Sequence, residues 1–257
     1  MEANKIRSVS GVYFSWAGKM SAWACCVLWV AAVIEMASMF LGDSLTGLSY
    51  WNSILVIEAL LLAAYALLTL GSSIANFLAR KKKINDVVDN SFGTQIGDDH
   101  SDNYFDNEDI KAGTKKLLYN TAESCFFSYN EMKSTVGSVC VKTLLPFVIL
   151  AVGLVINRAE VILAIFRISA ILVLVTQALQ FFVTLMQLQV LLSNMFATLK
   201  HKIGSSAQFN AESINYTLEY ETVMVWYGTK IPDKVYHKLN DKLTKEWESH
   251  KKAFVVK

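Results

Sequence analysis

WNSILVIEALLLAAYALLTLGS, residues Trp51–Ser72, decides how this chain is read. A helix that crosses a bilayer needs about 20 mostly apolar residues. This stretch has that length and one ionisable group, Glu58. Before it, across Gly42–Tyr50, lies Ser21–Leu41, SAWACCVLWVAAVIEMASMFL, apolar except at Glu35. After it come Val136–Ile156, VGSVCVKTLLPFVILAVGLVI, and a run from Val161 that stays apolar to about Leu192. The four segments form two hairpins, closed over Gly42–Tyr50 and Asn157–Glu160. The expected fold is an all-α integral membrane protein with four transmembrane helices in two hairpins, a cytoplasmic insert and a helical cytoplasmic C-terminal region.

Composition agrees. Of 257 residues, 53% are hydrophobic and 18% charged, below the quarter or so typical of soluble domains. Mean hydropathy is +0.35. With 12 Gly and 2 Pro the chain is neither disordered nor collagen-like, and a net charge of +2 excludes a strongly basic nucleic-acid binder by charge alone, so no direct nucleic-acid binding is expected. A cleaved signal peptide is the competing reading of the first segment. A long preceding region, the interruption at Glu35 and the lack of a convincing small-x-small site argue against it. The third segment carries Lys142 and Pro146 and also reads as a buried soluble helix; its pairing with the fourth favours crossing.

Basic residues set the orientation. Lys5, Arg7 and Lys19 precede the first span, Arg80–Lys83 follow the second, and Lys200 and Lys202 follow the fourth. The first hairpin loop has no Lys or Arg and the second only Arg158. Both termini and the central segment are therefore expected in the cytoplasm, with the two short loops facing outward. Four regions follow: 1–83, an N-terminal transmembrane hairpin; 84–135, an acidic insert; 136–192, the second hairpin; 193–257, a helical stalk and tail.

The insert carries ten acids, Asp86, Asp89, Asp98, Asp99, Asp102, Asp106, Glu108, Asp109, Glu123 and Glu131, against four lysines. A solvated, partly flexible loop is the plain reading, and a ligand or cation sensor the sharper one. GDDHSDNYFDNED (Gly97–Asp109) departs from a calcium loop, with Asn103 where the glycine belongs. Lys115–Met132 reads as helical. From Val161 to Lys200 a continuous helix would run about 60 Å, roughly twice the hydrocarbon thickness, and project as a stalk. In the tail, Val235, Leu239, Leu243 and Trp247 form an apolar stripe with Lys234, Lys238, Lys242 and Lys245 on other faces. That helix either packs on the cytoplasmic region or lies on anionic lipid.

Ionisable groups inside a span are costly and mark function or a partner. Glu35, Glu58 and Arg167 each lie seven or eight residues from an outer loop, about 11–12 Å of helix, and so at similar depth. They form either an ion pair with the second glutamate neutral or hydrogen-bonded, or a polar layer along a water-filled path, which an oligomer would close into a ring. On the fourth helix Gln177, Gln180, Thr184 and Gln187, continued by Asn194 and Thr198, share three-four spacing. This stripe serves either interhelical hydrogen bonding or pore lining.

No catalytic motif is present: no Walker loop, G-x-S-x-G, H-E-x-x-H or C-x-x-C. The four histidines lack ligand spacing, and Cys25, Cys26, Cys125 and Cys140 form neither a disulfide scaffold nor a zinc cluster. No enzyme activity, cofactor or metal is expected.

Three segments carry a resemblance: Lys83–Thr94 (KINDVVDNSFGT) behind the basic cluster, Glu123–Lys133 (ESCFFSYNEMK) before the third span, and Ile231–Trp247 (IPDKVYHKLNDKLTKEW). With the span order they resemble the SMODS-associated four-transmembrane family of pore-forming effectors. That resemblance implies a membrane effector of bacterial antiviral defence, in which a partner enzyme senses infection and a nucleotide signal or contact triggers perforation of the inner membrane. The implied partners are the lipid bilayer, further copies of the chain and a cytoplasmic sensor. A membrane adaptor and a small transporter are the alternatives, the transporter disfavoured because Glu35 and Glu58 have no counterparts in the second hairpin.

Overall fold

A computed structural model describes residues 10–41, 48–97, 101, 105, 107, 109–156, 161–201, 205–227 and 233–255. Among these residues there are six helices and no strand. They are α1 (Gly11–Leu41), α2 (Leu48–Phe92), α3 (Thr114–Ile156), α4 (Val161–His201), α5 (Ser206–Tyr227) and α6 (Asp233–Val255).

The first four form two antiparallel hairpins, α1 with α2 and α3 with α4. The first pair approaches closely at Gly71, against the side chain of Met20. A Cβ placed there would lie 2.9 Å from the Met20 sulfur. One residue on, the Ser72 hydroxyl donates to the Ala17 carbonyl at 2.9 Å.

One end of the molecule is an apolar shaft. Two segments among the described residues, Val56–Phe92 and Val175–His201, are long and apolar enough to cross a membrane. A buried core helix of a soluble protein would pass the same test, and burial separates the cases. Only 11% of the apolar window in α2 is buried, against 39% in α4. Val56, Leu60, Leu67, Leu70, Ile74 and Phe77 all stand exposed on α2. From Val56 to Phe77 is about 32 Å of helix, close to the hydrocarbon thickness.

The other end is a helical bundle with its own core. Leu118, Ala122, Phe126 and Met132 of α3 meet Phe181, Leu188, Leu192, Met195 and Leu199 of α4, Tyr220 and Met224 of α5, and Leu243, Trp247 and Phe254 of α6. The fourth helix is divided lengthwise here: over Phe181–Leu192, Phe181, Leu188, Leu191 and Leu192 face this core, while Phe182, Val183, Met186 and Val190 stay exposed. The tail stripe also points inward: Leu243 and Trp247 are buried and Leu239 packs on the core, while Lys234, Lys238, Lys242 and Lys245 are exposed. Trp247 lies 6.1 Å from Phe126 and 6.3 Å from Phe196, ring centre to ring centre.

The insert is mostly helix, since α2 runs through to Phe92 and α3 starts at Thr114. Gly93, at φ +68°, ends α2 in the left-handed conformation that glycine adopts without a Cβ clash, and its N–H donates to the Asp89 carbonyl at 2.8 Å. The Asp89 carboxylate accepts from Thr94 Oγ1 at 2.7 Å, Ile96 N at 2.7 Å and Gly97 N at 2.8 Å. Ser101 N donates to Asp86 at 2.9 Å. Phe105 packs with Val87 and Leu117. Asn107, fully buried, donates to Asn120 at 2.9 Å and Glu123 at 2.7 Å, and Asn120 donates to Asn90 at 2.9 Å and Ser91 at 3.0 Å. The described residues of the expected loop, Thr94, Ile96, Gly97, Ser101, Phe105 and Asn107, are thus tied to the helices on either side. Asp86 and Asp89 are buried hydrogen-bond acceptors for it.

Candidate functional site

Where shaft meets bundle, α2 turns two of its four clustered cations inward. Arg80 and Lys83 are buried, Lys81 is exposed and Lys82 intermediate. Helical spacing explains the split: positions three apart share a face. Arg80 Nη1 lies 3.5 Å from Glu221 Oε2 of α5, with side chains 7% and 10% exposed. Its guanidinium also stands 5.4 Å from the centre of the Phe14 ring, a cation–π contact with α1. Lys83 Nζ donates to the Tyr220 hydroxyl at 3.5 Å, and that hydroxyl lies 3.0 Å from Ser128 Oγ and donates to the Ser124 carbonyl at 3.3 Å. A cavity of about 10 Å³ sits beside the pair, lined by Ile84, Val87, Thr121, Ser124, Thr217, Tyr220 and Glu221. Its wall is almost entirely apolar, so it is a small packing gap beside the pair.

The junction therefore links α1, α2, α3 and α5 through charge. A buried pair of this kind specifies which helices meet. Breaking it from one side is more costly than its net contribution, because the remaining charge stays desolvated.

A second contact joins the insert to the tail at the far end of the bundle. Lys251, buried, lies 2.8 Å from Glu248 and 3.5 Å from Asp109. Burial raises the Tyr119 phenol above its usual range, the Asp109 carboxylate adds to this and Lys251 opposes it. The Cys125 thiol, fully buried, is pushed up by desolvation, so it is held as the unreactive thiol.

Of the residues expected in the intramembrane layer, Glu58 is buried at 6% exposure on the otherwise exposed face of α2. The helices carry Glu35 on α1 and Arg167 on α4, while the side chains of both lie outside the described set. Backbone register gives the heights. The contacts of Ala17 with Ser72 and Phe14 with Arg80, continued up the antiparallel hairpin, bring Glu58 opposite the turn of α1 that carries Glu35. Gln177 Nε2 donates to the Tyr65 hydroxyl at 3.0 Å, across a sequence separation of 112.

The stripe on α4 is divided. Gln177 and Gln187 are exposed, Gln180 is half-buried, and Thr184 is fully buried with no hydrogen-bond partner for its hydroxyl. Asn194 is exposed, and Thr198 is buried against α5, 3.2 Å from the Tyr216 hydroxyl. Among the described residues no group of three His, Cys, Asp or Glu is placed to hold a metal ion.

Sequence reasoning treats Arg80–Lys83 as an orientation signal and does not find their partners. The available clue is Tyr220–Glu221, on the face of α5 that also carries Ser213 and Met224, the helix's other buried residues. No protein-family model, curated protein or solved structure matches the chain.

Proposed function

We propose that the chain is a multi-pass membrane effector of a bacterial antiviral defence system, with no enzymatic activity of its own. Four helices in two hairpins span the inner membrane, and the bundle and both termini lie in the cytoplasm. On a signal from a cytoplasmic partner or a nucleotide, copies assemble and form a pore or disrupt the membrane. The observation that carries this reading is the buried Glu58 on α2, a helix whose exposed residues from Val56 to Phe77 are mostly apolar over about a bilayer's thickness. A carboxylate at that place needs a partner or water. In the sequence Glu35 and Arg167, like Glu58, each lie seven or eight residues from an outer loop, on α1 and α4. Neutralisation by Arg167 holds the layer closed, and rearrangement of the helices wets it.

Membrane potential in cells induced to express the chain tests this, read with a voltage-sensitive dye with and without the neighbouring genes. Depolarisation that is lost in the Glu35→Gln/Glu58→Gln variant is expected. Inserted protein that never depolarises the cell under any trigger refutes the pore and leaves a membrane adaptor as the better account.

A further inference from the structure

We infer that the C-terminal end of α5, Val225–Tyr227, with Phe182 of α4, docks on the head-group layer of the bilayer and fixes the bundle against the membrane surface. This rests on the membrane reading above. The course of α5 carries the argument. It touches α3 at Thr114–Asn210, Thr121–Thr217 and Ser124–Tyr220, and each pair is separated by 96 residues. A constant separation means parallel helices in fixed register, so α5 climbs back along α3 toward the shaft.

Its last turn arrives at the lower edge of the apolar surface. The Tyr227 ring lies 6.3 Å from Phe181. Val225 and Trp226 are 45% and 48% exposed, and the adjacent Phe182 is 36% exposed. Arg80 meets Glu221 one and a half turns below, which puts this end of α5 near the height at which α2 exposes Ile74 and Phe77. Lower on α5, exposed Ile214 and Leu218 alternate with exposed Asn215 and Glu219, so the concentration of aromatic surface is confined to the top.

Chemistry selects lipid as the occupant. Trp and Tyr favour the membrane–water boundary, where an apolar ring meets a polar edge. On another side of the junction α1 shows the same set: Trp16 is 53% exposed and 6.1 Å from Tyr13, whose ring lies 5.5 Å from the Lys82 amine. The patch is continuous with the apolar shaft and ends where the shaft ends.

Depth-dependent quenching tests this on the full chain. Cys25, Cys26 and Cys140 are replaced by Ala, and buried Cys125 is kept because it does not label. A bimane is placed at Trp226→Cys and, separately, at Val225→Cys. Leu67→Cys serves as the shaft reference and exposed Lys252→Cys, lower on α6, as the water reference. The protein is reconstituted in phosphatidylcholine/phosphatidylglycerol vesicles. Quenchers are a nitroxide high on the lipid acyl chain and aqueous iodide. Positions 225 and 226 are expected to be quenched by the nitroxide and to respond to iodide about threefold less than position 252, as interfacial groups do. Iodide quenching equal to that at 252 overturns the proposal, because the end of α5 is then in water. Shielding from both quenchers while position 67 is quenched by lipid also overturns it, and assigns the patch to protein, such as a second copy. If position 67 itself escapes the nitroxide, the membrane reading falls and this inference falls with it.

Discussion

Removing one partner of the Arg80–Glu221 pair should destabilise the protein far more than removing both. At 3.5 Å the gross attraction is about 5 kcal/mol with an effective dielectric near 20. Desolvation of two buried charges opposes it by several kcal/mol, so the pair's net contribution is small. The contact is also poorly aligned: Arg80 Nε and Nη1 and Glu221 Oε2 make no hydrogen bond in spite of their proximity. Glu221→Leu leaves the guanidinium desolvated beside Phe14 and should cost about 3 kcal/mol, or roughly a hundredfold in the folding equilibrium. Arg80→Met should cost about as much. The double variant should lose no more than about 1–2 kcal/mol, giving a coupling energy of about 4 kcal/mol. The assay is reversible unfolding in mixed detergent–SDS micelles, followed by far-ultraviolet circular dichroism, for the four proteins of the cycle. Additive losses, with coupling within about 0.5 kcal/mol of zero, would refute the reasoning. They would mean that the two groups are hydrated independently and that the junction is held by packing alone.

Three further outcomes are expected. Trp247→Ala should cost about 3–5 kcal/mol, as large-to-small changes in a close-packed core do, and limited proteolysis should then cut α6 before the rest of the bundle; protection equal to wild type would show that the tail is held elsewhere. Asn120→Ala removes hydrogen bonds to Asn90, Ser91 and Asn107 and should cost about 3 kcal/mol, with amide exchange rising first around residues 105–113; exchange unchanged there would show that the network does not hold the insert. Because burial raises the Tyr119 phenol in the folded state, its contribution is fully present below the unfolded value near 10 and is lost as pH rises beyond it, so Tyr119→Phe should flatten the alkaline fall in stability; an unchanged slope above pH 10 would rule Tyr119 out as its source.

The helices are legible in the sequence because apolar periodicity and length dominate there. The tail stripe at Leu239, Leu243 and Trp247 is a local pattern, and the helix it defines buries that face. The lower part of α4 is ambiguous in the sequence, because Leu, Phe and Met serve equally well against lipid and against a protein core; the fold buries Phe181, Leu188 and Leu192 and leaves Phe182, Met186 and Val190 exposed. The insert defeats a reading by composition. Asp86 and Asp89 count as solvated charge in a tally, whereas their carboxylates satisfy backbone and hydroxyl donors a few residues downstream. The junction is invisible for a related reason. Arg80 and Glu221 are far apart in the chain, and their meeting is a product of the fold.

The close approach at Gly71 has a mechanical side. It falls near the middle of α2, with about 35 Å of unbroken helix above it to Leu48 and about 32 Å below it to Phe92. The helix is not free to swing about that point, because it is gripped on both sides of it: Tyr65 by Gln177, Ser72 by Ala17, Arg80 by Phe14 and Glu221, and Lys83 by Tyr220. It acts as a splint, and the insert, tied to its lower half through Asp86 and Asp89, is held in fixed relation to the upper half that carries Glu58.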